Sequence, residues 1–329
     1  LQPQIFGHLD TSELVERSRD KPRLLKYQYG QNFLKGNVVN KIALGTVQFG
    51  INYGVNSTGC QVTPSAVADI LNYSRSHNIE LLDTAPVYGN SEKVLGSANI
   101  KDFKIVTKTR NFNQSFITDR EINLLISDFN QSLQLLKKKS IYGILVHNAD
   151  DLLRPGSDKI INQLRIFKQH GLISKIGVSI YTSDQLQKII DRFDIDLVQL
   201  PFNILDRRLI DSGILHKIYN QGIEVHARSV FLQGLLLMTK ESRPKKFGRW
   251  NDLWKLWHEW LSDNKLTALE ATIRYAISIP EISKVLVGVD SKDQLRNIFE
   301  AIDGQLPPIP EEFSVYDSDL LNPSNWNNL

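Results

Sequence analysis

Four side chains with acid–base chemistry stand at the ends of apolar runs. Asp83 and Tyr88 lie in Leu81-Leu82-Asp83-Thr84-Ala85-Pro86-Val87-Tyr88-Gly89. Lys108 ends Ile105-Val106-Thr107, and His147 ends Ile144-Leu145-Val146. Short apolar, β-branched runs are the pattern of buried parallel strands, so these groups are expected at the C-terminal ends of three strands. A carboxylate, a phenol, an ammonium and an imidazole gathered at one mouth can serve an oxygen on which negative charge builds. Hydride reduction of a carbonyl creates such an oxygen and requires a proton donor. Tyrosine, with a reference pKa of about 10, is a poor acid unless perturbed. Lys108 beside the phenol would favour phenolate and so lower that pKa. Asp83 would keep the ammonium charged, and His147 could donate a hydrogen bond to the carbonyl and fix its angle. Taken singly, each has a blander reading: Asp83 as a turn cap, Lys108 as a solvated strand end and His147 as a satisfied core imidazole. Their joint placement on successive strands favours a site.

The elements that must position these groups alternate regularly. Strands are expected near 41–45, 79–83, 103–107, 141–146, 173–178, 196–200, 222–226 and 284–288. Helices are expected near 64–76, 91–97, 117–138, 157–170, 182–191, 211–220, 266–278 and 291–302. Thr63-Pro64 supplies a cap and a first-turn proline, and Asn90 or Ser91 can cap the short second helix. Eight strands alternating with eight helices favour an α/β chain closed as a (β/α)8 TIM barrel. An open doubly wound sheet is the alternative, because counting does not prove closure.

Three segments fall outside this beat. Residues 1–38 form an N-terminal extension with a short helix near Ser12. It lies either on the barrel or a partner, or is the tail of a preceding domain. The barrel would occupy 39–305, including a long connection at 230–264. There Trp250, Trp254, Trp257 and Trp260 recur at helical spacing and should share one face, which either packs on the barrel rim or forms a substrate wall or subunit contact. Residues 306–329 form a C-terminal tail that Leu306-Pro307-Pro308-Ile309-Pro310 sets off from regular structure.

The run from Asp83 to Gly89 resembles the Asp-Thr-Ala-x-x-Tyr-Gly signature of the aldo/keto reductase family. Asp83, Tyr88, Lys108 and His147 match that family's catalytic tetrad, one residue each, and the resemblance covers about residues 40–305. It implies an NAD(P)H-dependent oxidoreductase that reduces an aldehyde, ketone or sugar carbonyl, with Tyr88 as proton donor. The opening Leu44-Gly45-Thr46-Val47-Gln48-Phe49-Gly50 is similar to bacterial members found with surface-polysaccharide genes, which implies a sugar or nucleotide-sugar substrate. In the family the C-terminal segment often lies over the active-site mouth.

The resemblance also implies cofactor contacts. Gly45 and Thr46 follow the first strand. Gly177-Val178-Ser179-Ile180 and Val198-Gln199-Leu200-Pro201-Phe202-Asn203 resemble motifs whose Ser179 and Gln199 would hold the nicotinamide carboxamide, although Ile180 replaces the usual asparagine. Arg228 stands where an aromatic often stacks on nicotinamide. Ser229, Phe231, Gln233 and Gly234 would surround the pyrophosphate. Gly288, Val289, Lys292 and Gln294 belong to the adenosine-phosphate loop. Gln294 takes a position often held by arginine, and Asp290 adds an opposing charge that Lys292 could offset. NADPH is the family default and NADH the other candidate. No compact three-glycine dinucleotide fingerprint is present.

Composition narrows the remaining classes. The 39 basic and 36 acidic residues give a net charge of +3, no basis for nucleic-acid binding. No stretch of about 18 apolar residues suggests a membrane span. The sole cysteine, Cys60, excludes an intrachain disulfide and a cysteine-based metal cluster. No paired-carboxylate or metal-ligand pattern competes with the four strand-end groups. A cytoplasmic setting is expected, with a small-molecule carbonyl or sugar as partner and self-association through the extension or the tryptophan-rich loop left open. The rival function is a non-catalytic, nicotinamide-binding module that regulates a partner.

Overall fold

The computed structural model describes residues 40–55 and 61–329. The expected N-terminal extension, with any self-association through it, lies outside these residues, as do Gly59 and Cys60.

Eight parallel strands close into a barrel in sequence order. They are β1 (Ile42–Gly45), β2 (Leu81–Asp83), β3 (Lys104–Lys108), β4 (Ile141–Val146), β5 (Ile173–Ser179), β6 (Leu197–Pro201), β7 (Glu224–Arg228) and β8 (Lys284–Gly288). Closure is direct, with Leu44 of β1 paired to Leu82 of β2 on one side and to Val287 of β8 on the other. The open-sheet alternative is thereby excluded. β7 runs two residues later than expected because Gly222, at φ 74°, is still in the turn. The shift makes Arg228 the last residue of a strand.

Strand alternation divides the core into two layers. Ala43, Leu81, Val106, Leu145, Leu197 and Leu286 fill the barrel interior, with Tyr142 packed against them. The opposite faces meet the surrounding helices in one continuous core. At the N-terminal end of the barrel, Tyr142 donates to Glu224 Oε2 at 2.6 Å, and His226 Nε2 meets Glu224 Oε1 at 2.7 Å. Burial would raise the Glu224 pKa, but His226 and Tyr142 hold it down at about 2. This end closes the barrel and leaves the C-terminal strand ends free for a site.

Local sequence fixes most helix starts. Thr63 accepts from Ala66 N at the head of Pro64–Ser76, and Thr118 with Glu121 forms a capping box on Asp119–Leu136. The helix Ser91–Ser97 departs from expectation, since neither Asn90 nor Ser91 caps it. Asn90 makes no side-chain cap bond, and the Ser91 hydroxyl instead donates to Thr46 O at 2.9 Å. The helix expected at 211–220 is two pieces, Arg208–Asp211 and Ile214–Asn220, parted by Gly213 at φ 74°.

The long connection holds a helix, Asn251–Asp263, whose tryptophans pack inward. Trp254, Trp257 and Trp260 are buried. Each indole N–H is satisfied, by Phe247 O, Leu236 O and Pro308 O respectively. Phe313 of the tail packs edge-on against Trp257 and Trp260. These three indoles therefore pack within the chain. The tail packs against this helix, and among the described residues none of the tail lines the cleft at the barrel mouth.

Candidate active site

The four strand-end groups come together at the C-terminal mouth. Lys108 Nζ lies 2.7 Å from Asp83 Oδ2, with both side chains almost fully buried, and also donates to Thr84 O at 3.0 Å. Burial would lower the Lys108 pKa, but Asp83 and then Tyr88 outweigh it and raise it. The ammonium is therefore charged. Its nitrogen sits 4.9 Å from the centre of the Tyr88 ring. His147 meets the same ring edge-on, with centroids 6.3 Å apart.

The loop carrying Tyr88 is held by backbone fit. Gly89 adopts φ 59°, and a Cβ there would fall 2.6 Å from Gly50 O. A Cβ on Gly50 would fall 1.6 Å from Tyr88 O, so the two loops close only through glycine. Thr46 ties the same loops by donating its hydroxyl to Asp83 O at 2.9 Å.

His147 follows β4 directly, and its backbone N–H donates to Thr109 Oγ1 at 3.2 Å. Its imidazole pKa falls to about 4, through burial first and then the charge of Lys108. The ring is thus neutral near neutral pH and keeps one N–H to donate. Its Nδ1 is buried without a partner among the described residues.

Above these groups opens a cleft of about 530 Å³, inside the range of roughly 300–1,000 Å³ typical of small-molecule sites. Most of the expected cofactor positions line it: Gly45 and Thr46 after β1, Ser179 and Gln199 at the ends of β5 and β6, and Arg228 ending β7. Ser229, Phe231, Gln233 and Gly234 continue from β7, and Gly288 and Gln294 come from the β8 end. Ser179 and Gln199 are paired across neighbouring strands. Two expected positions do not line it. Val289 is buried in the helix-facing core, and Lys292 is exposed in the first turn of Lys292–Ile302.

Other lining groups were not singled out from the sequence. Tyr53 and Tyr181 stand in loops and are 40% and 38% exposed, giving the cleft two accessible rings. Gln233 Nε2 donates to the Tyr53 hydroxyl, Oη, at 3.0 Å. Gln48 packs so closely on Gly288 that a Cβ there would lie 2.4 Å from its amide nitrogen. Its Oε1 is buried with no partner among the described residues.

These features suit a nicotinamide dinucleotide. Ser179 and Gln199 offer polar groups side by side, and Gln48 and His147 hold buried polar atoms without partners among the described residues. Ser229, Leu232 and Gln233 take left-handed backbone conformations beside Gly234 at φ 91°. Such turns can present successive N–H groups to an anion.

Comparisons with known proteins bear on the family and the fold. The model of the aldo/keto reductase family matches residues 41–314. L-galactose dehydrogenase of Arabidopsis thaliana is 25% identical over 277 residues, covering 77% of this chain and 83% of that protein. The NADH-specific methylglyoxal reductase of Escherichia coli (strain K12) is 25% identical over 264 residues, covering 68% and 78%. An aldo-keto reductase from Bacillus halodurans, solved in its holo form, superposes with a TM-score of 0.66 at 22% identity, covering 82% of this chain and 88% of that one, and shares the fold. The matched span contains every strand of the barrel and all four strand-end groups, and the chain belongs to the aldo/keto reductase family of NAD(P)H-dependent oxidoreductases.

Proposed function

We propose that the protein reduces the carbonyl of a small polar aldehyde, ketone or sugar, nucleotide sugars included, with Tyr88 donating the proton. The observation that carries this reading is the Tyr88 ring in contact with both the charged Lys108 and the neutral His147 at the floor of the cleft. A nicotinamide held by Ser179 and Gln199 would supply a hydride, with its electron pair, to the carbonyl carbon. Tyr88 gives its proton to the carbonyl oxygen, and the resulting phenolate sits beside Lys108 until it regains a proton from water. Asp83 holds Lys108 in place and balances its charge. His147 donates its N–H to the same oxygen and sets the approach of the carbonyl.

The names of the two curated relatives, a sugar dehydrogenase and a methylglyoxal reductase, support a small polar carbonyl. The two exposed tyrosine rings are apt platforms for a sugar face. Turnover of an aldehyde, ketone and sugar panel with NADPH and with NADH tests the reading. Reduction of at least one panel member, lost in Tyr88→Phe, is expected. Binding of either cofactor with no turnover of any carbonyl would overturn it.

A further inference from the structure

Arg228 ends β7 inside the cleft and carries a charge that no described side chain answers. Its Nη2 donates to Ile180 O at 3.1 Å, and its Nη1 to Ser229 Oγ at 3.4 Å. Both acceptors are neutral. Its guanidinium carbon lies 4.4 Å from the centre of the Tyr181 ring, a cation–π stack that fixes the plane without cancelling the charge. No described carboxylate forms an ion pair with it. The other cation at the floor, Lys108, is matched by Asp83. The catalytic end of the cleft therefore carries one unmatched positive charge.

The position of that charge identifies what it can meet. Arg228 belongs to the electrostatic surroundings of His147 and of Tyr53, and Tyr53 also feels Tyr88. It shares the neighbourhood of the proton donor. A partly desolvated guanidinium with most of its donors free is a fork for a planar carboxylate or a phosphate.

We propose that Arg228, stacked on Tyr181, is a specificity-determining residue that binds an anionic group, carboxylate or phosphate, carried by the carbonyl substrate. This rests on the reduction reading above and names its substrate class.

The test compares charged and neutral aldehydes in two arms. Succinic semialdehyde against butanal probes a carboxylate, and glycolaldehyde phosphate against glycolaldehyde probes a phosphate. The wild type is expected to favour the charged member in at least one arm, and the responding arm identifies the anion. Arg228→Met should cut the charged-to-neutral ratio of kcat/KM by about 30-fold, the size expected for losing one partner of a desolvated charge pair. Arg228→Lys should keep part of it. Indifference of the wild type in both arms, or a ratio that survives Arg228→Met, overturns the proposal. So does weaker cofactor binding in Arg228→Met with an intact ratio, since the cation would then serve the cofactor phosphates. An equilibrium arm judges Arg228 separately from turnover. Succinate or inorganic phosphate, with butanol as control, should raise the Tm of the cofactor-loaded wild type but not of Arg228→Met. Silence towards both anions overturns the proposal even if aldehydes are reduced. A response lost in the variant supports it even if none is.

Discussion

Gln199 donates its side-chain amide to Asp83 Oδ1 at 2.7 Å, while Lys108 takes Oδ2 at the same distance. One buried carboxylate thus holds both the cation beside Tyr88 and a residue at the cofactor's expected ring end. The bond also orients the amide of Gln199, since a carboxylate only accepts and so meets the amide's N–H, and leaves its carbonyl oxygen for a ligand. Gln199→Met would keep the bulk and leave Asp83 Oδ1 without a donor. The unliganded protein should lose about 1–3 kcal/mol of stability. Denaturant unfolding of both proteins without cofactor measures this. Equal midpoints would mean that Gln199 matters to the cofactor alone.

Tyr88→Phe keeps the ring beside Lys108 and His147 and removes the proton. Turnover should fall by about 10²-fold or more, with cofactor affinity little changed. Single-turnover hydride transfer, followed by loss of cofactor absorbance, separates the chemical step from binding. A variant that transfers hydride at the normal rate would remove Tyr88 from the role of donor.

Lys108→Met strands the Asp83 carboxylate in the barrel mouth. Removing one partner of a buried pair costs about 3–5 kcal/mol, so the variant should melt well below wild type and lose most activity. Double replacement with Asp83→Asn should recover part of the stability and none of the turnover. If the double variant is no more stable than Lys108→Met, the pair is not coupled as its geometry requires.

The barrel and its functional end were legible because the strands are buried on both faces. Several read as apolar runs, and an ionisable residue at or just past the end, such as Lys108 or His147, marks the mouth. Contacts between distant strands leave no such mark. The Asp83–Gln199 bond joins residues 116 positions apart, and nothing local to either announces it. Tyr53 was invisible because its loop is placed from elsewhere, with Val55 N donating to Gln233 O across the cleft. Tyr181 gained meaning only once Arg228 lay on its ring. Val289 and Lys292 were misplaced because family spacing fixes their order along the chain, while strand alternation and helix phase decide which side chains turn into the cleft.

His147 gives the clearest pH dependence. Its folded pKa of about 4 lies below the ordinary 6.5, so the unfolded chain binds its proton first as pH falls. Stability associated with the neutral ring is full above pH 6.5, declines as pH falls towards 4, and is level below that. At 1.36 kcal/mol per pKa unit the span is at most about 3 kcal/mol, reduced by the ring's partial exposure. His147→Asn cannot take up this proton, so the gap between the two proteins' unfolding free energies should narrow across that window. A gap independent of pH would mean that the imidazole titrates normally in the folded protein.

Cofactor choice turns on the β8 end of the cleft. Gln294 Oε1 accepts from Asp290 N at 2.8 Å, so the side chain at the position often held by arginine is engaged with its own loop. Asp290 lines the cleft, and Lys292, the cation expected to offset it, does not. A 2′-phosphate placed there would find the N-terminus of the helix Lys292–Ile302, which favours anions by about 0.3–1 kcal/mol, but no arginine fork. We therefore expect the wild type to bind NADPH and NADH with affinities within about 100-fold of each other, or about 2.7 kcal/mol. Gln294→Arg supplies the fork at the cost of the bond to Asp290 N, and Asp290→Asn removes the opposing charge. Together they should shift the ratio towards NADPH, and more strongly at low salt than at high salt. Fluorescence titration of both cofactors against wild type and double variant reads the ratio directly. A double variant that leaves the ratio unmoved would place the adenosine phosphate away from Asp290 and Gln294.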